Sequence, residues 1–286
     1  MKSSRFYYLL ILIGSVCIAG AQKPGDREAV LVGAGDIAVC KSPGDELTAV
    51  ILDQIPGAVF TAGDNAYPAG SPVDFSNCYE ASWGRHKART RPSVGNHEYM
   101  TPGAAGYFAY FGKQAGPAGL GYYSYDLADW HIVVINSMLE HINPIAQEKW
   151  LASDLAAHPT QCTLAYWHYP RFSSGGHGNH PQMQRVWEIL YQHGADVVIS
   201  GHDHVYERFA PQTPDGVADP KRGIREFVVG TGGARLRKFR TLAANSEMRN
   251  NTAFGVLKMT LKPDSYTWEF ITVPNVVLDS GGDTCH

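Results

Sequence analysis

Short apolar runs recur along the chain, and most end in a turn built from Gly, Asp, Asn or His. Residues 28–32 predict a first strand that runs into Gly33-Ala34-Gly35-Asp36. That Gly-x-Gly lacks the third glycine of a dinucleotide loop. A helix is predicted over 45–54, with Leu47, Val50, Ile51 and Leu52 as its apolar face and Pro56-Gly57 as its stop. Residues 58–61 form the next strand. A strand–helix–strand unit of this kind makes a parallel pair with a right-handed crossover. Residues 68–92 read as irregular, with a helix around 75–86, and 99–121 as a long surface excursion rich in Gly, Ala and Tyr.

The second half repeats the theme. Residues 122–126 and 130–136 predict an antiparallel hairpin. A helix follows over 144–157, with Ile145, Trp150, Leu151 and Leu155 inward, and then a strand over 163–167. Another helix spans 181–193, started by Pro181, stopped by Gly194 and carrying Met183, Val186, Trp187 and Leu190 at helical spacing. A buried strand over 196–200 leads into Gly201-His202-Asp203-His204. Residues 211–224 are a Pro-, Asp- and Gly-rich loop, and three strands over 226–229, 254–261 and 266–273 finish the chain. The expected class is α/β: a layered α-β-β-α sandwich of two mixed sheets flanked by helices.

The N-terminus departs from this pattern. Lys2 and Arg5 precede a nearly all-apolar stretch over 6–19, and Ala19-Gly20-Ala21 offers small residues for cleavage. The stretch is shorter than the roughly 20 residues that span a bilayer. We expect a signal peptide over 1–21 and one domain over 22–286, exported as a secreted or periplasmic protein with no membrane attachment after cleavage. Cys17 lies in the apolar stretch, but Gly14-Ser15-Val16 is a poor lipidation context. Four cysteines then remain, an even number suited to an oxidising compartment. Cys40 and Cys78 each follow a strand and its acidic loop, at one end of the sheet. Cys162 precedes a strand, at the opposite end, and Cys285 is near the C-terminus. The expected pairs are Cys40–Cys78 and Cys162–Cys285.

Composition narrows the function classes. The 286 residues are 44% hydrophobic and 18% charged, with a net charge of −3. That balance offers no broad basic field for nucleic acid or an anionic membrane. The basic run over 235–240 is the exception; it either faces a polyanion or is a solvated loop. Asn250-Asn251-Thr252 is a glycosylation sequon.

The polar residues that follow apolar strands form a set: Asp36; Asp64 and Tyr67; Asn96 and His97; His168; His202 and His204. In open α/β folds ligands gather beyond the carboxyl ends of strands. Singly, Asp36 and Gly95-Asn96 are ordinary turn residues and His168 an ordinary core histidine. Together they make a mixed oxygen and nitrogen shell suited to hard or borderline cations rather than a thiolate site. One aspartate with two carboxylate oxygens can bridge two ions about 3.5–4 Å apart.

In order, Asp36, Gly63-Asp64-x-x-Tyr67, Gly95-Asn96-His97-Glu98, Trp167-His168 and Gly201-His202-x-His204 resemble the motifs of the calcineurin-like metallophosphoesterases. Tyr67 points to their purple acid phosphatase branch, in its compact form without an extra N-terminal sandwich domain. The resemblance implies two metal ions. Asp36, a bridging Asp64, Tyr67 and His204 would hold Fe(III); Asp64, Asn96, His168 and His202 would hold a divalent Fe, Zn or Mn. A phenolate is a hard anionic donor suited to the trivalent ion. Relatives outside the branch carry His where Ala38 stands, and the branch itself has Gly there and Val where Ala165 stands. Neither change removes a ligand.

The implied reaction is hydrolysis of a small phosphate ester by in-line attack of metal-activated hydroxide. His97 is the candidate proton donor to the leaving group, or else a hydrogen-bond partner of a ligand, and Glu98 is expected to orient it. His177 lies where the resemblance places a substrate-contacting histidine; the alternative is a solvated ring on a flexible loop. His180 is a second candidate. The same dimetal core would also serve a phosphodiesterase or nucleotidase. A metal or phosphate binder without turnover is a further alternative. No Gly-x-Ser-x-Gly elbow supports a serine hydrolase.

Overall fold

The computed structural model describes Met1 and residues 28–286. The expected signal segment therefore lies, but for Met1, outside the described residues. The chain runs β1 (Ala29–Ala34), β2 (Ala38–Val39), α1 (Gly44–Asp53), β3 (Ala58–Ala62), β4 (Ala66–Tyr67), α2 (Pro72–Asp74) and β5 (Thr90–Ser93). Then come α3 (Ala105–Phe111), β6 (Tyr123–Leu127), β7 (Trp130–Val134), α4 (Pro144–Ala157), β8 (Cys162–Tyr166), α5 (Gln184–Gln192) and β9 (Val197–Ser200). The closing strands are β10 (Tyr206–Phe209), β11 (Arg225–Val229), β12 (Ser246–Asn250), β13 (Gly255–Lys262), β14 (Ser265–Thr272) and β15 (Val276–Thr284).

Two large mixed sheets result. One has the order β15-β14-β13-β1-β3-β5, with β1, β3 and β5 parallel. The other has the order β12-β10-β11-β9-β8-β7-β6, with β7, β8, β9 and β11 parallel. The alternation of strand residues separates two cores. Trp130, Ile132, Val134, Leu164, Tyr166, Val197 and Ile199 pack with Leu31, Phe60 and Leu257 of the first sheet. Their neighbours Val133, Ala165 and Val198 join Leu151, Leu155, Val186, Trp187 and Leu190 from α4 and α5. This is the expected layered sandwich, and both expected disulfides, Cys40–Cys78 and Cys162–Cys285, are formed.

Several local expectations need correction. In α1 the helical period is right but the phase is not: Asp45, Thr48, Ala49, Ile51 and Leu52 are buried, while Leu47 and Val50 face solvent. The inward Thr48 hydroxyl donates to the Gly232 carbonyl at 2.6 Å and accepts from Trp83 Nε1 at 3.0 Å, so a polar residue outranks two aliphatic ones. Ile145 is likewise exposed, because α4 buries the row Gln147, Leu151, Leu155. The helix expected over 75–86 is instead a π-helical turn, Phe75–Tyr79, and a 3₁₀ segment, Trp83–Arg89. Residues 99–121 are not a loose surface excursion. Tyr107, Tyr110 and Phe111 lie at helical spacing within α3; Tyr110 and Phe111 pack on Phe75 and Tyr79, and Tyr107 packs on Phe111. The final strand β15 escaped notice because its apolar residues Val276, Val277 and Leu278 are exposed and its remainder is polar.

The sheets converge where their parallel strands end. The Gly35 amide donates to the Val229 carbonyl at 2.8 Å, joining the loop after β1 to the end of β11. His168 Nδ1, just past β8, meets the Ala62 carbonyl at the end of β3 at 2.8 Å.

Candidate metal centre

Five loops meet at this junction. Asp36, Asp64 and His202 adopt positive φ angles of 59°, 49° and 69°, although none is glycine. Such backbone costs energy for a residue with a side chain and clusters at functional sites. Here it turns each side chain back over the strand end that precedes it. Two glycines make room. A Cβ on Gly63 would lie 2.6 Å from the His168 ring, and one on Gly95 would lie 2.2 Å from Asp64 Oδ1.

The donor atoms fall into two groups sharing Asp64. In the first, the Tyr67 hydroxyl lies 2.9 Å from Asp36 Oδ1, 3.0 Å from Asp64 Oδ2 and 3.2 Å from His204 Nε2. In the second, His168 Nε2 lies 3.0 Å from Asn96 Oδ1 and 3.3 Å from the same Asp64 Oδ2. Ligating atoms of Asp64, His168 and His202 lie within 4.8 Å of one another. The structure thus brings together all seven residues expected to hold metal.

Counting hydrogens tests whether a cation fits. A carbonyl oxygen only accepts, so the 2.8 Å contacts from His168 Nδ1 to Ala62 and from His204 Nδ1 to Arg235 place a proton on each Nδ1. In the neutral rings each Nε2 then presents a lone pair to the centre. His168 Nε2 faces two acceptor oxygens, and the single Tyr67 proton faces three acceptors. Acceptors outnumber protons, which is the arrangement a cation satisfies.

The carboxylates draw positive charge to the same place, so a proton on His168 competes with a cation there. Burial opposes charging His168, yet the Asp64 and Asp36 carboxylates hold its pKa up at about 9. Burial raises Asp64, but the His168 and His97 imidazoles outweigh it and hold the carboxyl well below its usual range. Burial first, then His168 and His177, keep His202 neutral. Burial and the Asp36 and Asp64 charges push the Tyr67 phenol well above its usual value of 10. Only a strong Lewis acid would hold that oxygen as phenolate.

His97 stands at the rim. Its amide donates to Asp64 Oδ1 at 2.9 Å, its Nδ1 meets the Pro68 carbonyl at 2.5 Å, and its ring lies 4.3 Å from Tyr67. Nε2 is left facing the centre, 3.8 Å from Asp64 Oδ2. Glu98 does not orient this ring as the sequence suggested. Fully buried, its carboxylate accepts the amides of Asp64 at 3.0 Å, Asn65 at 2.7 Å, Ala66 at 3.3 Å and Gly95 at 2.7 Å. It clasps two of the loops by their backbone. Burial and the Asp64 charge raise its pKa to about 7.

His177 lies with its ring 4.2 Å from that of His202, on a loop that is firmly held. Asp203 takes the His177 amide at 2.9 Å, the Gly178 amide at 3.3 Å and the Ser173 hydroxyl. Glu207 takes the Ser174 amide at 2.8 Å, and Glu226 those of Arg171 at 3.0 Å and Phe172 at 3.1 Å. Sequence reasoning missed these three carboxylates. Asp203 alone carried a signal: between two inward histidines, alternation points it the other way. His180 stacks on Tyr169 at 4.4 Å, and burial lowers its pKa to about 4.

Comparison with known proteins agrees with this geometry. Residues 26–206, more than half the chain, match the calcineurin-like phosphoesterase family model. The chain belongs to that family. It is 26% identical over 238 residues to purple acid phosphatase 15 of Arabidopsis thaliana, covering 70% of this chain and 44% of that one. It is 32% identical over 149 residues to purple acid phosphatase 23 of the same plant, covering 44% and 32%. The chain spans less than half the length of these curated relatives. Among solved structures, the fold resembles purple acid phosphatase PPD1 from yellow lupin seeds, with a TM-score of 0.72 at 19% identity over 90% of this chain and 54% of that one. It also resembles GAP50, titled the anchor in the inner membrane complex of Plasmodium, with a TM-score of 0.74 at 14% identity over 91% and 89%. Fold likeness at these identities says nothing of chemistry, which rests on the site.

Proposed function

We propose that this protein is an exported dinuclear-metal phosphatase that hydrolyses small phosphate monoesters. The observation that carries the reading is the surplus of acceptors around Asp64 Oδ2, which serves two donor groups at once. Asp36, Asp64, Tyr67 and His204 would hold Fe(III), and Asp64, Asn96, His168 and His202 a divalent Fe, Zn or Mn. When bound, such a pair neutralises phosphoryl oxygens and activates water. Export is supported by the two disulfides, which suit an oxidising compartment.

The chain's own residues supply the remainder. Water adds to phosphorus as the ester P–O bond breaks, and the leaving alkoxide needs a proton. His97, as an imidazolium, would give it from Nε2, because Pro68 takes the Nδ1 proton and Tyr67 backs the ring. His177, beside His202, is placed to donate a hydrogen bond to a substrate oxygen. Glu98 keeps the loops of Asp64 and Asn96 at fixed separation.

Elemental analysis with a visible spectrum tests the reading. Purified protein should carry two ions per chain and a charge-transfer band that Tyr67→Phe bleaches while the fold survives. His97→Ala should slow monoester turnover about 10²–10⁴-fold with metal content unchanged. Loss of metal on that substitution would instead make His97 structural, and metal-loaded wild type inert on every ester would end the phosphatase reading.

A further inference from the structure

The basic run over 235–240 is not a free surface strand. Its backbone is fastened to the metal centre: the Arg237 amide donates to the His204 carbonyl at 3.0 Å, and the Arg235 carbonyl meets His204 Nδ1 at 2.8 Å. The Arg240 amide donates to the Ser174 carbonyl at 2.9 Å, on the loop that carries His177. Between these two loops lies a cleft of about 380 Å³ lined by Gly176, His177, Arg237, Lys238 and Arg240. A neighbouring cleft of about 440 Å³ shares Gly176, His177 and Arg240 with it.

Three cations line this space, and no carboxylate does. Arg237, Lys238 and Arg240 are exposed, and among the described residues their side chains have no hydrogen bond or ion pair. Other arginines of the surface are committed: Arg208 to Glu247 and Asp279, Arg85 to Asp53 and Glu46. Asp203, an acid that binds the loop, is buried and occupied by the Ser173 hydroxyl and two amides. Arg237 also acts on the site itself. Burial lowers the His177 pKa, and the Arg237 charge adds to that; the same charge reaches His204. Unpaired guanidinium and ammonium groups converging beside a phosphate-handling centre are suited to a second phosphate.

We propose that this cleft is a subsite for a second phosphate group, so that the enzyme favours small molecules carrying two or more phosphates over esters of uncharged alcohols. The proposal rests on the phosphatase reading. One phosphate would lie at the metal centre past His177, and the other between Arg237, Lys238 and Arg240. The subsite contributes binding and orientation only; the bond broken is the ester bond at the metal centre.

The experiment compares metal-loaded protein on a series of alkanediol bisphosphates of increasing length and on the matching alkyl monophosphates. At one chain length, kcat/KM for the bisphosphate should exceed that of the monophosphate by about tenfold or more. The preference should shrink in high salt. Arg237→Ala, Lys238→Ala and Arg240→Ala should each lower the bisphosphate-to-monophosphate ratio, and the Lys238→Ala/Arg240→Ala pair should abolish it. A wild-type ratio near one, or a ratio unchanged in the double variant, overturns the proposal. Equilibrium binding of butane-1,4-diylbisphosphonate against butylphosphonate gives a readout without turnover. If no ester is hydrolysed but the bisphosphonate binds more tightly and the double variant loses that gain, the subsite stands and the phosphatase reading falls. Equal binding of the two phosphonates removes the subsite whatever the rates.

Discussion

His131 and His168 are both buried histidines beside an aspartate, on adjacent strands of one sheet: His131 within β7, His168 just past β8. Each belongs to a group whose composition suits a metal, His131 with Asp154 and His158, His168 with Asp64 and His202. The hydrogens distinguish them. His131 gives one nitrogen to each of two carboxylates, Nδ1 to Asp126 at 3.0 Å and Nε2 to Asp154 at 2.8 Å. Asp154 is further satisfied by the Ser124 hydroxyl at 2.8 Å, and His158 stacks on His131 with rings 4.5 Å apart and nearly parallel. As an imidazolium that ring has one proton for each contact, and the cluster closes without a cation. Around His168 a backbone carbonyl consumes the only proton of the neutral ring, and the lone pair is aimed at two more acceptors. Residue types alone do not make a metal site: His131 spends its two nitrogens on two separate carboxylates, whereas the Asp64 oxygen that faces His168 is shared with Tyr67.

The largest effect falls at Asp64. Asp64→Asn keeps the shape but removes the charge shared by both donor groups. Metal content should fall below one ion per chain, and monoester turnover by at least about a thousandfold. Elemental analysis beside a rate measurement checks it. Two ions retained per chain would mean that the other donors hold the metals without the shared carboxylate, and the bridging role of Asp64 would fall.

The ligand-like residues were legible because each follows a strand by two or three residues. Asp36, Asp64, Asn96, His168 and His202 need only the strand before them and a turn. The sandwich was legible for the same reason, and both disulfides followed from strand polarity. What escaped depends on partners distant in sequence. Glu98 was assigned to its neighbour His97, but its carboxylate turns to amides more than thirty positions earlier, a choice made by burial rather than adjacency. Glu207 and Glu226 sit within strands, where an acid looks like a solvated edge residue; only the folded chain puts the 171–178 loop above them. The phase of α1 was lost because Thr48 has two polar partners inside and Leu47 has none.

A smaller effect is expected at Glu98, which holds the ligand loops by their amides. Glu98→Gln leaves every metal-facing atom in place but keeps one accepting oxygen where the carboxylate's two oxygens accept four amides. The loops of Asp64 and Asn96 should drift apart, weakening metal affinity about 10–100-fold. Competition with a chelator measures it. Unchanged affinity would show that the strand ends alone hold the two loops, and that Glu98 serves folding only.

The smallest effect tests the other cluster. Asp154→Asn removes the charge facing His131 Nε2 and disturbs the Ser124 contact, so stability should fall by about 1–3 kcal/mol in denaturant unfolding. Metal content and turnover should not change, because every proton in that cluster already has its acceptor and none of its residues reaches Asp64. The control matters because His131, Asp154 and His158 have the right atoms within bonding range of one cation. A third ion per chain that disappears with Asp154→Asn would show that proton counting misjudges this site. It would then also weaken the case for two ions at Asp64, since both conclusions come from the same count.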